Sequence, residues 1–414
     1  MRFIFIYLLL LTQAYALEQR DVVSFQRGPY VQAFYNNFRT PWSHQAAIHA
    51  AHGAAHDMSL VIEPEKRSER DREFEERMIE LTLSGSSKNG PRSETYGPLT
   101  SQFAYDLFRT IDWTHVHHEQ TYDIMSYDKI KPEEKRAWTK RAEDFYLKNF
   151  DLPRSIAPLE VTMRRAGVMM KPYFTHFRNY FPRTNSFFWV AHWWHPAIYE
   201  AQYLGMKDGS QKEKVKATDA LLKEFFKTPP QRMILSRELM PRYTEENPET
   251  ANIFDNLHML HGIAYDILTY PHWSKEEKSK EINRVIKAMS YKKGDEKYVR
   301  AFKIKHPHTD PTKKEDWMIS QEGAMNEIMK DMMNEMAPMM MPNLSEKQKE
   351  AVKKQFMMKL GPFMEEGEHD GSLHDALMKI VPDMKMNKEA MGPGKTPTKM
   401  IEVMLKKWEE KNEF

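Results

Sequence analysis

A nine-residue pattern, HxxHxxx(Y/H)(D/E), occurs four times in this chain and constrains its fold more than any other feature. The copies are HAAHGAAHD at 49–57, HVHHEQTYD at 115–123, HWWHPAIYE at 192–200 and HMLHGIAYD at 258–266. The first two are 66 residues apart, as are the last two, and the pairs are offset by 143. The same offset lays PYVQAFYNNF (29–38) over PYFTHFRNYF (172–181), YDIMSY (122–127) over YDILTY (265–270), and the EEK of 133–135 over the EEK of 276–278. One register held across three separated motifs reads as an internal duplication, which governs the whole fold and so precedes any local reading. Two units follow, about 28–150 and 171–293, joined around 149–170.

On an α-helix, at about 100° per residue, positions i, i+3 and i+7 fall within roughly a 60° arc, so both histidines and the Tyr or His share one face. The neighbours favour helix: alanine-rich AIHAAHGAAHDM, and apolar residues at helical spacing in ANIFDNLHMLHGIAYDIL. Ser274-Lys-Glu-Glu277 reads as a capping box, and its counterpart, Lys131-Pro132-Glu-Glu134, puts proline at a first helical position. Pro196 predicts that the third motif helix starts or bends near His195. Alternating β-branched runs are few, and no hairpin dipeptides lie between them. The expected fold is all-α: an internally duplicated helical bundle, two antiparallel helix pairs about a pseudo-twofold, with the histidine faces converging inside.

Composition narrows the chemistry. The 414 residues are 41% hydrophobic, enough for a core, and contain no cysteine, which excludes disulfides and thiolate metal sites. A net charge of +2 without a basic, aromatic-interleaved stripe argues against a nucleic-acid partner. The N-terminus, MRFIFIYLLLLTQAYALEQ, has Arg2, an apolar run and Ala14-Tyr15-Ala16. It predicts a signal peptide over 1–16, cleavage near Ala16/Leu17, and a secreted or periplasmic protein. No later segment approaches 18 consecutive apolar residues, so stable membrane insertion is not expected. A duplicated His-rich domain (17–300), a linker (301–316) and a Met-rich helical tail (317–414) complete the organisation. Residues 311–414 hold 18 of the 30 methionines. Met325, Met329, Met332 and Met336 form one helical stripe, suited to core packing, to partner binding or to Cu(I) capture.

The metal-ligand candidates are His49, His52, His56, His115, His118, His192, His195, His258 and His261. A single histidine on a helix is as readily a core or surface residue; a set at four matching places points to a metal. Asp57, Asp112, Asp123, Glu200, Asp255 and Asp266 are candidates to accept the other ring N–H of a ligand and fix its tautomer, unless they are ordinary surface acids. Tyr122, Tyr199 and Tyr265 are catalytic candidates beside the histidines, and Glu119 is a candidate base if a metal-bound water is the nucleophile. His44, His117 and His176 have no counterpart at the 143 offset and suit structural roles, while His306 and His308 fall in the linker.

Such a set is nitrogen-rich and carboxylate-poor, unlike the Glu and Glu-x-x-His combination of di-iron bundles. Copper, highest in the affinity order, is the first expectation, with zinc and iron as alternatives. The arrangement resembles in outline the coupled binuclear copper proteins of the tyrosinase and haemocyanin type, in its helix-pair duplication and in Phe187-Phe188-Trp189-Val190 ahead of His192. Their HxxxH spacing is not the repeated pattern here, so the family is not assigned. The sequence leads to an expected multi-histidine, dinuclear copper protein doing oxygen-dependent oxidative chemistry on a small molecule. The alternatives are a non-catalytic copper-binding or storage protein and a zinc-dependent hydrolase.

Overall fold

The computed structural model describes residues 29–85, 97–149, 155–159, 161–162, 176–230, 235–270 and 273–299, and residue 347. The expected signal peptide, the expected linker with His306 and His308, and the methionine stripe lie outside the described residues. Among the described residues the chain is helical with no strand. In the first half come α1 (Ala33–Asn37), α2 (Arg39–Val61), α3 (Arg67–Leu83), α4 (Pro98–Phe103), α5 (Tyr105–Ser126) and α6 (Pro132–Asn149). In the second come α7 (His176–Tyr180), α8 (Pro182–Asp208), α9 (Gln211–Ala220), α10 (Leu222–Lys227), α11 (Ser236–Leu239), α12 (Pro241–Glu246), α13 (Pro248–Thr269) and α14 (Lys275–Met289).

Each motif sits on a long helix, and each long helix follows a short one across a single non-helical residue. These break residues are Phe38 (φ −134°, ψ 59°), Ala104 (φ −125°, ψ 50°), Phe181 (φ −134°, ψ 59°) and Asn247 (φ −132°, ψ 60°). A β-like φ with small positive ψ turns the chain without ending the run of i→i−4 bonding, because Trp42 still donates to Phe38 and Asn185 to Phe181. The result is four copies of a short helix, a corner and a long helix whose first motif histidine lies eleven residues past the corner.

The long helices α2, α5, α8 and α13 form the centre. Their closest packing runs between the halves, α2 on α13 and α5 on α8, rather than within each half as the helix-pair expectation had it. The third motif helix does not start near His195: α8 runs unbroken from Pro182 to Asp208, through Pro196. Proline removes one backbone donor and crowds the preceding turn, but here every residue from Phe187 to Tyr203 except Trp189 is buried, and tertiary packing outweighs that local cost. Around the centre lies an aromatic core in which Trp193 stacks on Phe225 with ring centroids 3.8 Å apart. Gly97, ahead of α4, is required by a close crossing, since a Cβ there would sit 2.6 Å from the carbonyl oxygen of Gly53 in the first motif. The capping box at Ser274 and Glu277 forms as the sequence predicts. No helix among the described residues is long and apolar enough to cross a membrane.

Candidate metal centre

All nine candidate histidines are buried in one cluster where the four long helices meet. His52, His192 and His261 each bring a ring nitrogen within 4.8 Å of the others, a spacing one ion can bridge. A second set, His49, His118 and His195, stands at positions 143 residues removed from these, with ring centroids 4.8 Å (118–195), 5.4 Å (49–195) and 6.1 Å (49–118) apart. Each set mixes the halves, drawing one histidine from α2, one from α8 and one from either α13 or α5. His115 stacks on His49 at 3.9 Å and His258 on His192 at 4.2 Å. His115 also stands 6.0 Å from both His52 and His261, and His56 lies 6.0 Å from His261.

The protonation state suits a cation. Burial pushes His49, His56 and His258 down to about 3 and His52 down to about 4, and it holds His115, His118, His192, His195 and His261 well below the ordinary imidazole value. Moving charge out of water is costly, so these rings are neutral and their lone pairs are available. His52 Nδ1 lies 2.9 Å from the carbonyl oxygen of Ile48, which can only accept, so Nδ1 carries the proton and Nε2 the lone pair. That Nε2 has no hydrogen-bond partner among the described residues, nor do His49 Nε2, His118 Nδ1, His195 Nε2 and both ring nitrogens of His56, His192 and His261.

The other motif positions have structural partners. At i+7, Tyr122 Oη donates to the carbonyl of His195 (2.8 Å), Tyr199 Oη to that of His118 (2.9 Å), and Tyr265 Oη to that of His52 (3.1 Å). Each bond joins a helix of one half to a helix of the other. Thr121 also hydrogen bonds Tyr199. Phe34 stacks on Tyr122 at 4.5 Å and Phe177 on Tyr265 at 4.4 Å, which accounts for that repeated phenylalanine.

At i+8 the carboxylates do not orient imidazoles but cap the short helices of the same half. Asp57 accepts from the amides of Leu99 and Thr100 on α4 (2.9 and 2.8 Å), and Asp123 from those of Gln32 and Phe34 at α1 (both 2.9 Å). Glu200 accepts from Arg242 and Tyr243 on α12 (3.3 and 3.1 Å), and Asp266 from Phe177 on α7 (2.7 Å). A carboxylate at a helix N-terminus is favoured by the orphan amides and the helix dipole. Asp255 accepts from the amide of Ser236 (2.6 Å) and Nε of Arg237 (2.8 Å), while Ser236 Oγ stands 3.4 Å from His258 Nδ1, so its link to a histidine is indirect. Asp112 is half-buried on α5. Glu119 is half-buried beside His118, and burial, reinforced by the charge of Asp123, pushes its carboxyl up to about 7.

Three histidines stand apart. His44 Nδ1 pairs with Asp219 (2.8 Å), which also accepts from Trp194 Nε1 (3.0 Å). His117 packs its ring on Tyr146 at 5.0 Å, and His176 on Tyr270 at 4.8 Å. Two functional features had a weaker sequence signal. The repeated EEK owes its lysine to a capping role: Lys135 Nζ donates to the carbonyls of Ile124 (3.0 Å), Met125 (2.6 Å) and Tyr127 (3.1 Å), and Lys278 Nζ to that of Leu268 (2.6 Å). A narrow pocket between α7, α8 and α13, partly open to solvent, reaches His192, His258 and His261.

No family model matches the chain, and no curated protein or solved structure is significantly similar to it.

Proposed function

We propose that this chain is a secreted or periplasmic helical metalloprotein, built by duplication of one unit, that holds two metal ions. One lies in the set His52, His192 and His261, the other in the set His49, His118 and His195. Copper is the first choice, and oxygen-dependent oxidation of a small molecule is the proposed chemistry. The observation that carries this reading is the concentration of buried imidazole nitrogens with no hydrogen-bond partner among the described residues. Leaving a buried polar atom unpaired costs about 1–3 kcal/mol, and a shared cation removes that cost for several atoms at once. Neutral nitrogen donors without an adjacent carboxylate ligand favour a low-charge or strongly nitrogen-seeking ion, which supports copper ahead of the alternatives, zinc and iron.

A second reading, a non-catalytic copper carrier or store, is favoured by one observation. The three motif tyrosines spend their hydroxyls on main-chain carbonyls and hold helices together. Zinc hydrolysis with Glu119 as base is weaker, because Glu119 stands in one half only and faces no counterpart across the cluster. Elemental analysis of natively purified full-length protein decides among these. Two coppers per chain and an oxygen-dependent absorption band are expected; copper without oxygen reactivity supports the store, and zinc alone the hydrolase. His52→Ala and His118→Ala are each expected to lose one equivalent, and unchanged metal content in both would sink the proposal. N-terminal sequencing of the exported protein should begin near Leu17.

A further inference from the structure

A pocket beside the second half reaches the cluster. It is walled by Phe188 and Trp189 of α8, has Arg178 of α7 at its rim, and ends on His192 and His261 with Gly262 of α13 forming one side. Gly262 is the motif position that carries Glu119 in the first half, and Asn185 on the same pocket stands where the first half has Trp42. Two positions that are bulky or charged in the first half are thus small along this pocket. Arg178 holds its guanidinium 5.0 Å from the Trp189 ring and is the basic side chain, besides the histidines, among the described residues that line the pocket. The lining carboxylate, Asp266, is turned to the Phe177 amide. A divalent ion in a set of three neutral imidazoles keeps its whole charge in a low-dielectric interior, where an accompanying anion is strongly favoured.

We propose that this pocket is an anion-access site: a small inorganic anion passes Arg178 and Trp189, moves along Gly262, and reaches the His52, His192 and His261 position. The proposal rests on the metal reading above, and its test separates the two.

Azide is added to the copper(II)-loaded full chain, its charge-transfer band is followed by stopped flow, and copper content and helical circular dichroism are measured on every sample. Gly262→Glu, which installs the residue found at 119, is expected to slow azide binding about tenfold or more, equivalent to about 1.4 kcal/mol of added barrier, at unchanged copper content. Trp189→Ala, at a half-buried position, is expected to speed it. Parental azide kinetics in a folded, copper-replete Gly262→Glu protein would overturn the access site and leave the metal centre standing. Should that variant lose helicity, parental kinetics in Trp189→Ala overturn it instead. Failure of the parent chain to retain copper overturns the metal reading and the access site with it.

Discussion

The contact of α5 with α8 and that of α2 with α13 are built from the same motif and finished differently. Between α5 and α8 the tyrosines are reciprocal, Tyr122 bonding the carbonyl of His195 and Tyr199 that of His118, with their rings stacked at 4.2 Å. Between α2 and α13 only Tyr265 is present, bonding the carbonyl of His52, and the reciprocal position is His56, whose two ring nitrogens have no partner among the described residues. One contact is therefore locked twice; the other gives up a lock and gains an imidazole beside His261. The difference teaches that the i+7 position is exchangeable between holding helices and offering a ligand, and that the set with the extra imidazole is also the one the pocket reaches.

Acid should break both contacts, and this is the largest expected effect. His117 is also held down to about 3, so it and the nine cluster histidines have folded-state values below the ordinary 6.5 that they recover on unfolding. Below pH 6.5 the unfolded chain then binds protons that the native chain does not. Stability present above pH 6.5 is lost as pH falls toward 3 to 4, by up to about 1.4 kcal/mol per pH unit for each such histidine. Glu119 and Glu143, pushed up to about 7, Asp123, pushed up to about 6, and Asp71, Glu75, Glu200 and Asp255, also raised by burial, work in the opposite sense but are fewer than the ten histidines. Metal-free protein should unfold cooperatively at mildly acidic pH, and metal should carry the midpoint lower. A metal-free protein whose thermal melting is flat from pH 7 to 5 would show that the histidines are not buried neutral.

The carboxylate clasp ranks next. Asp123→Ala strands the amides of Gln32 and Phe34 and should cost about 2 kcal/mol in urea unfolding. Asp57→Ala should cost a similar amount by releasing α4. If neither moves the midpoint, the short helices are not held by the motif.

The smallest effects bear on the comparison most directly. Tyr122→Phe and Tyr199→Phe should each cost about 1 kcal/mol, and their double mutant should be non-additive because the rings and hydroxyls share one contact. His56→Tyr should stabilise the metal-free α2 and α13 contact by about 1 kcal/mol through a new bond to the carbonyl of His261, as Tyr199 bonds His118. A destabilised His56→Tyr protein would mean that the two contacts are not equivalent frames with one exchanged residue.

Much of the centre was legible along the chain. Helix spacing is local, so HxxHxxx(Y/H)(D/E) alone put both histidines and the i+7 residue on one face of each helix, and the 66 and 143 offsets placed four such faces in register. The absence of cysteine limited the donors in the same way. The carboxylates were misread because a residue at i+8 on the edge of a face can reach either a ring on its own face or a neighbouring helix start, and only the approach of α1, α4, α7 and α12 settles which. The running of α8 through Pro196 was decided by burial, a property of the whole core.

Local spacing along the chain sets how the histidines are phased on each helix, and their number and regularity are too great for surface decoration. Only the tertiary structure decided which of them meet. His52 lies with His192 and His261 because α2 packs on α13 and touches α8, contacts between segments more than a hundred residues apart. No local periodicity encodes such pairing. It follows from which buried faces fit together, and each of the two sets draws its histidines from both halves.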